Sequence, residues 1–290
     1  MANDSAAPQL NAMRPEVAAK LIFESFKKPA RVAVRPADMP VLARARRLPL
    51  EVDGKPVAVY QWGDGERTAV CVHGWSARAT DFTAFVEPLV DAGFRVLAFD
   101  NPGHGDSGGD TATLLDIRAI LLALQERVGP ADTVIGHSLG ALYAFYALNH
   151  GVAASRLVTL SGVCDFSYLI TRYTAAMQLN DDIVELLRRH LEEMFGRPTI
   201  WEEFSSHNNL SGLSAGVSLI HDADDDFVEL SQSEKLAAAL GERAGLHVTR
   251  GLGHRRILAE AAVISHVLNE IGGQRPPASP ARAGIVEKGR

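Results

Sequence analysis

Gly136-His137-Ser138-Leu139-Gly140 is the stretch on which the reading of this chain turns. It is a Gly-x-Ser-x-Gly pentad set between two apolar runs, Thr133-Val134-Ile135 before it and Ala141-Leu142-Tyr143-Ala144-Phe145 after it. That context predicts strand, sharp turn and helix, with Ser138 on strained backbone and its hydroxyl exposed at the top of a sheet. Gly136, Gly140 and Ala141 lack bulk, so strand and helix can fold back tightly on each other. An ordinary helix start capped by Ser138 would carry the same letters. A serine is also a poor nucleophile without a base, so the surrounding chain has to decide.

Outward from the pentad, apolar runs and helical stripes take turns. Towards the N-terminus, Leu48-Pro49-Leu50-Glu51-Val52 and Pro56-Val57-Ala58-Val59-Tyr60 flank Asp53-Gly54, a hairpin signal. Ala69-Val70-Cys71-Val72 reads as a strand buried on both faces. A helix is expected over 81–92, capped by Thr80 and stopped by Gly93, then a strand at Val96-Leu97-Ala98-Phe99. Thr113 and Asp116 resemble a capping box before a helix that ends at Gly129-Pro130. Beyond the pentad come strands at 157–160, 217–220 and 247–249, alternating with helices at about 232–240 and 257–271. The alternation predicts an α/β fold with a doubly wound, mostly parallel eight-stranded sheet.

Three segments depart from it. Residues 1–14 read as a loose arm and Pro15 as a helix start, so 1–47 form an N-terminal arm and helix. Residues 48–162 and 214–272 make the core. Residues 163–213 hold no convincing strand but carry a helical stripe (Ile183, Leu187, Leu191, Met194) and several aromatics, and read as a helical lid over the carboxyl edge of the sheet. A stripe of this kind serves equally as core. Residues 273–290 read as a disordered tail.

Composition narrows the class. The net charge is -6, and the densest basic cluster, Arg44-Ala45-Arg46-Arg47, is short, which argues against nucleic-acid binding. No apolar run approaches a membrane span and the first residues lack a signal-peptide pattern, so a cytoplasmic protein is expected. The two cysteines, Cys71 and Cys164, read as separate buried thiols. Composition leaves the oligomeric state open.

For Ser138 to act as a nucleophile it needs a base. Of ten histidines, His254 stands out in Gly251-Leu252-Gly253-His254, a turn after the last strand. There its imidazole would hang over the sheet edge on which Ser138 is exposed. A histidine base needs an acceptor to fix its tautomer, and His221-Asp222-Ala223-Asp224-Asp225-Asp226-Phe227-Val228 follows the strand at 217–220. The order is then Ser, Asp, His. The aspartate run lacks the glycine and distal glutamate of a calcium loop. Two N–H groups would hold the oxyanion, that of Leu139 and that of Trp75 in the loop His73-Gly74-Trp75-Ser76. His73 reads as structural.

These motifs, together with Asp100-Asn101-Pro102-Gly103-His104-Gly105-Asp106-Ser107, resemble the α/β-hydrolase superfamily over roughly residues 48–272, in its lid-bearing, carboxylesterase-like form. The resemblance implies a serine esterase with Ser138 as nucleophile, His254 as base and Asp225 as the orienting acid. Asp225 is chosen by counting three residues back from Val228, with Asp224 as the runner-up. Asp222 stands where the family commonly has glycine, which leaves the register of the acid open. The resemblance also implies a small-molecule acyl substrate and no metal or organic cofactor, and the short lid points to a small to medium acyl chain. Trp75, Phe166, Tyr168, Trp201 and Phe227 are expected to line an apolar pocket. The same three residues would serve a thioesterase, lactonase, amidase, peptidase or C–C hydrolase, although Ala141 in place of a second glycine speaks mildly against the last. A non-catalytic binding module on the same fold is the remaining alternative.

Overall fold

The computed structural model describes residues 7–208 and 210–272. Eight strands form one sheet: β1 (Arg46–Val52), β2 (Lys55–Trp62), β3 (Arg67–Val72), β4 (Phe94–Phe99), β5 (Ala131–His137), β6 (Ala154–Leu160), β7 (Gly216–Asp222) and β8 (Ala244–Thr249). Their spatial order is β1-β2-β4-β3-β5-β6-β7-β8. β1 with β2 and β2 with β4 pair antiparallel, and all other neighbours pair parallel. The mostly parallel eight-stranded sheet expected from the alternation is the one found. Val52 pairs with Lys55, leaving Asp53 and Gly54 as a two-residue loop, both at positive φ (49° and 71°). That turn matches the twist of the strands it joins.

The longer helices are α1 (Pro15–Phe26), α2 (Thr83–Asp91), α3 (Leu114–Val128), α4 (Leu139–Asn149), α5 (Phe166–Ala176), α6 (Asp181–Phe195), α7 (Ser231–Leu240) and α8 (Ala261–Gly272). Local chemistry sets their ends. The Thr113–Asp116 capping box opens α3, the Asp165 carboxylate accepts from Ser167 N–H and Tyr168 N–H at the start of α5, and Gly196, left-handed at φ 68°, closes α6. Apolar side chains of α2 and α8 form the core on one face of the sheet, and those of α3, α4 and α7 the core on the other. The crossover from β3 therefore runs over one face and those into and out of β5 over the other. Ligand sites in such sheets open outside the carboxyl ends of the strands, where the winding reverses.

Several boundaries differ from the sequence-based expectation. Within the segment read as a loose arm, Ala7–Ala12 is helical, because Asn11 bonds Gln178 O and Asn180 N–H (2.8 and 3.0 Å) and Leu10 packs on the core. The helix expected from residue 81 starts as a 3-10 turn at Ala79–Phe82, without a side-chain cap from Thr80. The last helix begins at Ala261, preceded by a separate turn, Gly253–Arg256, that carries His254. Residues 273–290, read as a tail, lie outside the described residues.

The stretch from Pro15 to Val32 is bound to the body at several points. α1 packs on α6. The Arg31 guanidinium donates to the carbonyls of His104, Gly105, Ser107 and Gly109. Ala30 N–H donates to Ser76 Oγ, and the buried Arg78 donates to Val32 O. Between β6 and β7 lie α5, α6 and the short helix Ile200–Glu203. Cys71 and Cys164 are free, buried thiols, and burial pushes both up to about 12. Among the described residues no helix is long and apolar enough to cross a membrane.

Candidate active site

The turn between β5 and α4 sets Ser138 at φ 56°, ψ −126°, a conformation non-glycine residues rarely adopt. Its N–H donates to Leu160 O (3.0 Å), and its carbonyl accepts from Val163 N–H (3.2 Å). The turn is closed by the absence of side chains around it. A Cβ on Gly136 would lie 2.6 Å from Ala141 Cα, and one on Gly140 2.2 Å from Val72 O. α4 is buried continuously from Leu139 to Leu148, which seats the turn rigidly on the core.

The structure brings Ser138, His254 and Asp225 into line. His254 Nε2 lies 3.0 Å from Ser138 Oγ, and His254 Nδ1 lies 2.8 Å from Asp225 Oδ2. A carboxylate only accepts, so Nδ1 carries the proton and Nε2 is free to accept from the serine hydroxyl. The other carboxylate oxygen, Oδ1, accepts from Phe227 N–H and Val228 N–H, each at 2.9 Å. Burial works to raise the Asp225 carboxyl, but the bonds from His254 and Val228 outweigh it and hold the group at about 2. Asp224, the runner-up, turns away and accepts from Gly251 N–H at 2.7 Å.

Two further residues hold His254 in place, and the sequence alone gave neither of them that part. Asp222 is fully buried and gathers Leu252 N–H, Gly253 N–H and the Thr249 hydroxyl (3.1, 2.9 and 2.7 Å), tying down the loop that carries His254. It had stood out only as a departure from glycine. His137 Nε2 lies 2.8 Å from the His254 backbone carbonyl, to which it must donate. Burial pushes His137 down to about 3, so it stays neutral. Position x of Gly-x-Ser-x-Gly offered no signal for this.

The loop after β3 lies against Ser138. A Cβ on Gly74 would come 2.9 Å from Ser138 Cβ and 3.3 Å from its Oγ, so only glycine fits without a shift. Among the described residues the N–H groups of Trp75 and Leu139 donate no hydrogen bond, as expected at a helix start and an open loop. His73 is fully buried; its Nδ1 donates to Gly74 O (2.7 Å) and its Nε2 accepts from Asn101 N–H (2.9 Å). Both ring nitrogens are thus committed to backbone, and this fixes the loop.

The expected apolar pocket needs correction. The cleft over Ser138 holds about 370 Å³ of empty space, solvent side included, and is lined by Arg35, Trp75, Asp81, His137, His254, Arg255 and a few small or apolar residues. Of the five residues expected there, Trp75 lines it. Phe227, 60% exposed, stacks on the His254 ring at 5.3 Å. Phe166 and Trp201 are used in packing instead, in a cluster with Phe195 and Phe204. Tyr168 turns its hydroxyl to Glu229 N–H. The cleft wall comes instead from residues far apart in sequence, among them the charged Arg35, Asp81 and Arg255.

Residues 69–266 match the alpha/beta hydrolase family. The chain belongs to this family of hydrolases. Among curated relatives, a 2-hydroxy-6-oxononadienedioate/2-hydroxy-6-oxononatrienedioate hydrolase of Escherichia coli is 29% identical over 168 residues, covering 54% of this chain and 55% of the relative. A pimeloyl-[acyl-carrier protein] methyl ester esterase of Edwardsiella ictaluri is 32% identical over 156 residues, covering 53% and 56%. The chain thus spans about half the length of the curated relatives it matches. Among solved structures, an esterase of Pyrococcus furiosus shares the fold with a TM-score of 0.63 at 19% identity, covering 84% of this chain and 95% of that one. The two curated relatives are named for different substrates, a dioate and a methyl ester, so the match fixes the family and leaves the scissile bond open.

Proposed function

We propose that the protein is a serine hydrolase of carboxylic esters with a small to medium acyl chain. Ser138 Oγ attacks the acyl carbon and passes its proton to His254 Nε2. Asp225 holds the imidazole in the required tautomer and stabilises its charged form. The N–H groups of Trp75 and Leu139 take the oxyanion, where one such donor is worth about 3–4 kcal/mol. His254 then protonates the leaving alcohol and activates water to release the acyl group. The segment 163–213 serves as a lid, and the substrate is a small molecule. The observation that carries the reading is the relay from Ser138 Oγ through His254 to Asp225, at 3.0 and 2.8 Å, beside two undirected N–H donors. The modest cleft favours a short acyl chain.

Hydrolysis of a C–C bond is the second reading, favoured by the name of the Escherichia coli relative. A fluorophosphonate probe tests the nucleophile: the wild type should label and Ser138→Ala should not. A panel of p-nitrophenyl esters of rising chain length, run beside an acyl-CoA, an anilide and a 2-hydroxy-6-oxo dienoic acid, tests the bond. An unlabelled wild type would sink the serine mechanism. Turnover of the dienoic acid above every ester would replace the esterase reading with the second one.

A further inference from the structure

The wall of the cleft carries charge that the reaction above does not use. Arg35, Asp81 and Arg255 all line it, within the space shared by Ser138 and His254. Arg35 is already engaged: its Nε lies 2.5 Å from Asp38 Oδ2, and its guanidinium reaches Asp81 at 4.0 Å. Burial raises the Asp81 carboxyl, while Arg35 and Arg255 pull it down. Arg255 differs from Arg35. It is exposed and, among the described residues, its guanidinium makes no hydrogen bond and no ion pair. It directly follows His254, on the same short turn Gly253–Arg256, so its charge sits beside the proton-transfer centre. Trp75, Ala77 and Leu258 supply the apolar remainder of the wall.

A guanidinium presents several donors in a planar fork that matches a carboxylate in two parallel hydrogen bonds. One left open at the edge of a partly enclosed cleft is placed to take such a group from whatever enters. We propose that Arg255 binds a carboxylate of the substrate, so that the site selects esters carrying a negative charge near the scissile bond. This deepens the serine esterase reading and rests on it. The charge can lie on the acyl chain or on the alcohol, and both would be drawn to the same fork.

The test compares matched pairs of esters. Mono-p-nitrophenyl glutarate against p-nitrophenyl valerate probes an acyl carboxylate; 4-acetoxybenzoate against phenyl acetate probes one on the alcohol. The wild type should show a higher kcat/KM for the charged member of at least one pair. Arg255→Gln should lower that charged-to-neutral ratio by about tenfold, the scale of a hydrogen bond to a charged group. Arg255→Lys should restore part of the ratio, and added salt should shrink it in the wild type. A wild type that hydrolyses the neutral esters as well as the charged ones overturns the assignment and leaves the esterase reading standing. So does a preference that survives Arg255→Gln. If the wild type hydrolyses no ester at all, both readings fall together.

Discussion

Replacing Asp225 by asparagine tests the relay at the atom where it is most exposed to error. In the wild type Asp225 Oδ1 accepts from Phe227 N–H and Val228 N–H, and Oδ2 faces His254 Nδ1. An asparagine has one oxygen. Pointing its NH2 at the two backbone donors would set donor against donor twice, so the oxygen stays with Phe227 and Val228. The NH2 then faces Nδ1, which must accept. The proton moves to Nε2, directly opposite Ser138 Oγ, and the base can no longer take the serine proton. The fold keeps its shape, while the tautomer is wrong. Such an exchange lowers turnover by about 10⁴-fold, or about 5.5 kcal/mol of transition-state stabilisation. The assay is kcat with a p-nitrophenyl ester the wild type accepts, with thermal melting as a control for folding. Asp224→Asn serves as the comparison and should cost a few-fold at most, because Asp224 touches only Gly251 N–H among these loop donors. A loss under about tenfold in the Asp225 variant, or an equal loss in both, would refute the argument.

Three other perturbations follow from the same geometry. Gly74→Ala pushes a methyl group against Ser138 Cβ and should lower kcat at least about tenfold with little change in melting temperature; an unchanged kcat would mean that the loop after β3 does not hold the oxyanion. Asp222→Ala strips the acceptor from Leu252, Gly253 and Thr249 and should lower unfolding free energy by about 2–4 kcal/mol in urea titration; a change below about 0.5 kcal/mol would deny it that anchoring role. His137 is held at about 3 in the fold but takes up a proton near its ordinary value of about 6.5 once unfolded. The unfolded state therefore binds more protons below that pH. This group's contribution is full above about pH 6.5 and is lost as pH falls towards about 3, by up to about 1.4 kcal/mol per pH unit. Urea midpoints between pH 7 and 4 should fall less steeply in His137→Asn, and equal slopes would contradict the assignment.

What could be read from the chain was whatever the backbone itself demands. The pentad is legible because only small residues clear Ala141 and Val72 O at that turn. His254 is legible because a glycine-rich turn after the last strand has one place to go. The Asp53-Gly54 hairpin and the Thr113–Asp116 box are legible for the same reason: each is a local contract between a few neighbouring residues. The register of the acid could be reached only by counting back from Val228 to Asp225, since Asp224 and Asp225 differ only in which way a turn of backbone aims them. The aromatics of 163–213 defeated the pocket, because a packed cluster and a binding wall use the same side chains, and here Phe166 and Trp201 went to the cluster. Arg35 was invisible as a wall residue because it arrives from about a hundred residues before Ser138.

That last point reaches beyond Arg35. Residues 69–266 carry the family match together with Ser138, Asp225 and His254, whereas α1, Arg31 and Arg35 lie before it. Reactivity and one flank of the entrance thus occupy separate stretches of the chain, joined by α1 on α6 and by the four carbonyls that grip Arg31. Exchange of residues 15–35 would therefore alter that flank while leaving Ser138, Asp225 and His254 untouched.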